Sequence, residues 1–202
     1  MIHLYCATGN AGKLREFRLA ADLSRIQIDH LPGFKQLPEP VEDGATFEAN
    51  AIKKALHYSP HVQGLLFADD SGLEVEALGG APGVYSARYS GPGATDESNN
   101  RLLLERLQGA SNRKARFVCA IALVEGPRVV GVYHGAAEGE ILHEPRGHNG
   151  FGYDPLFFFP EFNKTTAELD MATKSRISHR GKALRRMIAW LAANAATISR
   201  VK

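Results

Sequence analysis

Arg116-Phe117-Val118-Cys119-Ala120-Ile121-Ala122-Leu123-Val124-Glu125-Gly126-Pro127-Arg128-Val129-Val130-Gly131-Val132-Tyr133-His134-Gly135-Ala136-Ala137-Glu138 holds two apolar, β-branched runs broken by a Gly-Pro turn. The pattern reads as a β-hairpin, with strands over 116–125 and 128–138. Upstream, helical and strand patterns alternate. Residues 2–7 form a short apolar run closed by Thr8-Gly9-Asn10, and a helix follows over 12–23 with Leu14, Phe17, Ala21 and Leu23 inward. Ile26 and Ile28 mark a second alternating run over 24–31, and the Pro-rich stretch 31–40 is loop or edge. Thr46 opens a helix from Phe47 to Tyr58 that stops before Pro60. Residues 64–68 are a short strand stopping at Asp69-Asp70-Ser71-Gly72, and 78–93 are an ordered Gly/Pro loop. Thr95 caps a helix reaching Leu107, with Asp96 and Glu97 in its first turn. The apolar run 155–159 follows a Gly-rich loop at 147–152, and a last helix over 180–195 turns Leu184, Ile188, Leu191 and Ala195 inward. Helices between strands, followed by a hairpin, predict an α/β fold with a mixed sheet, in one domain over 1–202.

Composition narrows the function classes. Among 202 residues, 24 Lys+Arg stand against 22 Asp+Glu, a net charge of +2, which gives no electrostatic footprint for a long polyanion or a membrane surface. With 44% hydrophobic and 23% charged residues the chain can bury a core, so wholesale disorder is not expected. The two cysteines, Cys6 and Cys119, sit far apart in apolar runs and read as core, not as a disulfide framework or zinc ribbon. The start lacks a basic leader, and no apolar run approaches the ~20 residues of a membrane helix. A reduced, cytoplasmic protein is expected.

Four segments could carry chemistry. Thr8-Gly9-Asn10-Ala11-Gly12-Lys13 is a strand–turn–helix whose first helical amides suit an anion. It is not a Walker A loop, because the glycine spacing is short and Leu14 follows Lys13 where Ser or Thr is required. An ordinary turn with a surface lysine accounts for it equally well. Asp69-Asp70-Ser71 places two acids at the end of an apolar strand, where α/β proteins gather ligands and where hard oxygens suit Mg²⁺ with phosphates. Alternation sends one carboxylate to a cleft and the other to support the loop; an Asp-Ser-Gly turn cap is the plain reading. In Gly147-His148-Asn149-Gly150-Phe151-Gly152-Tyr153-Asp154, glycines allow close approach and Phe151 or Tyr153 could stack on a flat ligand or anchor a turn. Lys174, His179 and Arg180 gather donors before and at the start of the last helix, whereas Lys182, Arg185 and Arg186 read as its solvated face. His57 and His61 lack a third ligand for zinc, and no nucleophile elbow is present.

Taken together these parts describe a nucleotide site, and the chain resembles the Ham1-like inosine/xanthosine triphosphate pyrophosphatases. The resemblance rests on Thr8-Gly9-Asn10-x-x-Lys13, Thr46-Phe47-x-x-Asn50-Ala51, 68–73 with its two acids, 79–89, 151–155 and Ser178-His179-Arg180-Gly181, in that order. It implies a two-lobed fold around an elongated mixed sheet with the nucleotide between lobes, and hydrolysis of ITP, dITP or XTP to the monophosphate and pyrophosphate. It further implies a homodimer and a Mg²⁺ cofactor. Carried over by position, Thr8, Gly9, Asn10, Ala11, Gly12 and Lys13 hold the triphosphate, with Lys54 a further phosphate partner. Asp70 is the catalytic carboxylate and a metal contact, and Ser71 touches substrate. Phe151, Gly152, Tyr153, Asp154, Lys174, His179 and Arg180 grip the base. The sequence departs from the family's pattern at Val41-Glu42-Asp43-Gly44, leaving Glu42 as the second metal contact and Asp43 in reserve, and at His148, which stands where relatives carry a small residue. A phosphatase, a nucleotide sensor and a nucleic-acid module are the competing classes; a stable nucleic-acid or membrane partner is not expected.

Overall fold

A computed structural model describes residues 2–21 and 26–194. One seven-stranded sheet runs in the order β2-β1-β3-β4-β5-β6-β7. The strands are β1 (Ile2–Cys6), β2 (Ile26–His30), β3 (Leu65–Val75), β4 (Lys114–Glu125), β5 (Arg128–Ile141), β6 (Phe157–Phe159) and β7 (Lys164–Thr165). β1 pairs in parallel with β2 and β3, and every later pairing is antiparallel, so the sheet is mixed as expected. The helices are α1 (Ala11–Ala21), α2 (Phe47–Tyr58), α3 (Asp96–Arg106), α4 (Met171–Ile177) and α5 (His179–Ala193). Leu23, residues 24 and 25 of the second run, and Ala195 lie outside the described residues.

Helix starts follow their caps. The Thr46 hydroxyl accepts the Ala49 amide at 3.1 Å, and Thr95 and Ser98 form a reciprocal capping box on α3. The period-two alternation of the central strands divides the core between the two faces of the sheet. Leu4, Cys6, Phe67, Cys119 and Ile121 meet Phe17 of α1 and Leu184, Met187 and Leu191 of α5 on one face. Their neighbours Leu66, Ala68, Ala120, Ala122 and Val124 meet Ala51, Ala55 and Tyr58 of α2 on the other. A third cluster joins Leu103 and Leu107, at the C-terminal end of α3, to Leu73, Val75, Phe117, Ile141 and Phe157 at the far end of the sheet. Each fully buried Leu or Phe contributes about 1.5–3 kcal/mol of apolar transfer, so these three clusters hold the helices to the sheet.

Two expectations are corrected. β3 does not stop at Asp69: it runs on to Val75, paired with β4 along its length from Leu65↔Glu125 to Val75↔Ala115. Ladder hydrogen bonds to β4 override the turn chemistry of Asp-Ser-Gly. On the other side β1 pairs only as far as Cys6↔Phe67, so Asp69 and Asp70 lie just beyond the last β1 pair. Gly72 fits there because a Cβ would lie 2.4 Å from Ser86 Oγ and 2.6 Å from the Gly83 carbonyl. The second correction is α4, a short helix preceding α5 that the sequence reading did not contain. Asp170 caps it by accepting the Thr173 amide at 2.8 Å.

Candidate active site

The loop over 8–13 is shaped by its own side chains. Asn10 Oδ1 accepts the Lys13 amide at 3.0 Å, and Thr8 Oγ1 accepts the Asn10 amide at 3.2 Å. His30 Nε2 donates to the Thr8 carbonyl at 2.7 Å and ties the loop to the end of β2. Lys13 Nζ reaches Asp69 Oδ2 at 2.8 Å.

Asp69 and Asp70, adjacent on one strand, face opposite sides of the sheet. Asp69 faces α1 and α5, where Oδ2 also accepts from Ser71 Oγ at 3.2 Å and lies 3.8 Å from Arg180 Nε. Burial raises its carboxyl, but Lys13 and Arg180 outweigh that and hold it down at about 2. Asp70 faces α2. Its Oδ2 accepts from Asn50 Nδ2 at 3.1 Å and its Oδ1 from Lys54 Nζ at 3.1 Å. Burial prevails over Lys54 and Lys13, so the Asp70 carboxyl is held above the ordinary aspartate value. Lys54 also reaches Glu42 Oε2 at 3.3 Å. Burial alone would lower the Lys54 ammonium; Asp70, Asp69 and Glu42 reverse this and raise it.

Glu42 and Asp70 thus converge on one ammonium, whereas Asp43 is exposed and paired with Lys53. Among the described residues no three His, Cys, Asp or Glu side chains gather as a closed metal site. Two carboxylates fit a hard cation that takes its remaining oxygens from water and phosphate, as Mg²⁺ does, and not a structural zinc.

Beside Asp69 stands a wall of aromatic and charged groups. The Phe151 ring lies 5.1 Å from Lys174 Nζ and 5.5 Å from the Arg180 guanidinium carbon. Its amide donates to Asp154 Oδ2 at 3.0 Å. Beneath it Glu16, buried on α1, takes Lys174 Nζ at 2.7 Å and binds Arg180 Nη1, while Arg180 Nη2 donates to Ser71 Oγ at 3.0 Å. Burial opposes ionisation of Glu16, but Arg180 and Lys174 overcome it and lower its carboxyl. Asp154, more deeply enclosed, is raised by burial despite Lys174. His179 stacks on Phe117 with centroids 4.8 Å apart; burial, with Arg180 and Lys174 nearby, depresses its imidazole well below the usual range and keeps it neutral. Among the described residues its Nδ1 and Arg180 Nε have no hydrogen-bond partner and are buried. Gly181 lets α5 start hard against α4, since a Cβ would lie 1.8 Å from the Ser175 carbonyl oxygen.

All this encloses a cleft of about 390 Å³, lined by Thr8, Gly9, Asn10, Lys13, Glu42, Lys54, Asp69, Asp70, Ser71, residues 151–154, His179 and Arg180. Ala11, Gly12 and Lys174 are not among its lining residues, and Lys174 lies beneath the wall with both its carboxylates. Tyr153 is anchored by its hydroxyl, which donates to the Ser86 carbonyl at 2.8 Å. His148 is exposed and stands outside the cleft. Lys182, Arg185 and Arg186 are exposed and donate to backbone carbonyls at Ala136, Ser175, Arg176 and His134. Sequence reasoning missed two members of the site. Asn50 bridges the Gly44 amide and Asp70, and its place in Thr46-Phe47-x-x-Asn50-Ala51 was the available signal. Glu16 gave none, because its partners lie in α4 and α5.

A loop at a helix start, adjacent acids beyond a strand pairing, and an aromatic–cation wall meet in one cleft of an α/β fold, where enzymes of this class gather ligands. Residues 4–190 match the Ham1 family, and the chain belongs to it. It is 53% identical over 180 residues to a dITP/XTP pyrophosphatase of Desulfotalea psychrophila, covering 88% of this chain and 80% of that one. It is 48% identical over 184 residues to a dITP/XTP pyrophosphatase of Exiguobacterium sp., covering 91% and 94%. A HAM1 protein structure from Coxiella burnetii superposes with a TM-score of 0.85 at 42% identity, covering 96% of this chain and 100% of that one.

Proposed function

We propose that this chain hydrolyses non-canonical purine nucleoside triphosphates (dITP, XTP and ITP) to the monophosphate and pyrophosphate, clearing them from the nucleotide pool. The observation that carries the reading is the joining of two chemistries in one cleft. Lys13, Lys54, Glu42 and Asp70 line the same cleft as Phe151, His179 and Arg180. Relatives named dITP/XTP pyrophosphatase, at about half identity over most of the chain, support it.

In this reading Thr8, Gly9, Asn10, Lys13 and Lys54 bind the triphosphate, with Lys13 held toward it by Asp69. Asp70 orients the attacking water and takes its proton. The water oxygen bonds to the α-phosphorus as the bond to the bridging oxygen breaks, and pyrophosphate leaves. Asn50 and Lys54 keep the Asp70 carboxylate in place. Glu42 and Asp70 would hold Mg²⁺, which when bound neutralises charge on the phosphate oxygens. Phe151 stacks on the base. Among the described residues the Arg180 Nε donor makes no hydrogen bond, only the 3.8 Å ion pair with Asp69, and His179 Nδ1 makes none. A 6-oxo purine offers an acceptor to that donor, whereas the 6-amino group of adenine leaves it unpaired. Lys174 acts through Glu16 and Asp154. We further infer a cytoplasmic homodimer; among the described residues no helix is long and apolar enough to cross a membrane.

The test is product analysis on a substrate panel. Pyrophosphate is expected from dITP, XTP and ITP, with far less from dATP, and chelation by EDTA should abolish turnover that added Mg²⁺ restores. Orthophosphate as sole product would overturn the reaction assignment.

A further inference from the structure

Residues 147–152 form a partition between two cavities. On one side is the cleft already described; on the other is a groove of about 730 Å³ between α3 and the segment 143–155. Asp96, Phe151 and Gly152 line both. On its inner side the partition is tied by Asn149 N to the Ala167 carbonyl at 3.1 Å and by Phe151 N to Asp154. On the α3 side it is held by a two-point grip on a single residue. Asp96 Oδ2 accepts the Gly152 amide at 2.7 Å, and Asn100 Nδ2 donates to the Gly152 carbonyl at 3.0 Å. Asp96 and Asn100 are four apart on α3 and therefore share one face of it. Gly152 takes φ +62°, the left-handed region that a glycine enters without penalty, and a Cβ there would meet nothing within 4 Å.

We propose that Asp96 and Asn100 are positioning residues for the base-binding wall: by clamping both polar groups of Gly152 they fix the Phe151 ring over the cleft and deny it the groove behind. The inference rests on the proposed function, and it places part of base recognition on α3, away from the phosphate side. A base-free ligand should not feel the clamp.

The experiment compares Asp96→Ala, Asn100→Ala and the control Glu97→Ala, a neighbour in the first turn of α3 that makes no hydrogen bond to the partition among the described residues. Amide hydrogen exchange across 150–153 should quicken in the two clamp variants and stay at the wild-type rate in the control. KM for dITP should rise roughly fivefold per lost hydrogen bond, with kcat changed much less. Inhibition by inorganic tripolyphosphate, which has no base, should keep its wild-type constant. Faster exchange with unchanged KM for dITP overturns the proposal. So does an equal loss of dITP and tripolyphosphate binding, which marks a merely structural helix. Failure of the functional reading is separately visible: wild-type protein would then release no pyrophosphate from dITP or XTP.

Discussion

Replacing Glu16 by Gln removes one charge from a buried ionic group without changing its shape. Lys13, Lys174 and Arg180 face Glu16, Asp69 and Asp154, three charges of each sign. The side chains of Glu16, Lys174 and Arg180 are 7%, 5% and 4% exposed, so water cannot substitute for a missing partner. Breaking a buried pair from one side costs about 3–5 kcal/mol, and a glutamine that keeps one acceptor oxygen places this change near about 3. At roughly 2–4 °C per kcal/mol for a chain of this size, Tm should fall by about 6–12 °C. Thermal unfolding followed by circular dichroism measures this, and a urea titration should show a lower midpoint at unchanged m-value. The pH dependence has a definite sign. The Glu16 carboxyl lies lower in the folded chain than its ordinary 4.5, so its stabilisation is fully present above about pH 4.5. It is lost as pH falls through the folded value, where wild type itself carries a protonated Glu16. The Tm gap between wild type and Glu16→Gln should therefore be widest near pH 7 and close on acidification. A drop below about 2 °C at pH 7, or a gap that widens in acid, would refute the reasoning.

Two further outcomes follow from the same geometry. Asp70→Asn keeps the size and the contact with Lys54 or Asn50 but cannot take a proton; turnover of dITP should fall by about a thousandfold or more while KM changes little, in a pyrophosphate-release assay. Gly181→Ala should cost about 3 kcal/mol, because its Cβ is driven against the Ser175 carbonyl, and chemical denaturation of the purified variant reads this directly.

Much of the fold was legible in the sequence because its signals are local. The Thr46 and Thr95 caps, the period-two runs of the hairpin and the apolar settings of Cys6 and Cys119 each involve a few neighbouring residues. The same locality explains the misses. Asp69-Asp70-Ser71-Gly72 has turn chemistry on its own, and only the β4 ladder beside it keeps the chain extended. α4 was hidden because seven residues give too short a period to read.

The cleft divides in the same way. Residue types and order alone singled out the loop over 8–13, the paired acids, the Phe151–Asp154 segment and the donors at the head of α5. Which of them line the cleft was decided by packing. Glu42 turns to Lys54 while Asp43 turns to solvent, and Lys174 goes under the wall instead of onto it. Glu16 shows the reason most plainly. It reads as an ordinary polar position on α1, yet its partner Arg180 is 164 residues away. Caps and periodicity act within a turn or two of chain and survive in a linear reading. Neutralising a buried charge requires whichever opposite charge the sheet brings within reach, and that is known only when α1, α4 and α5 are packed together.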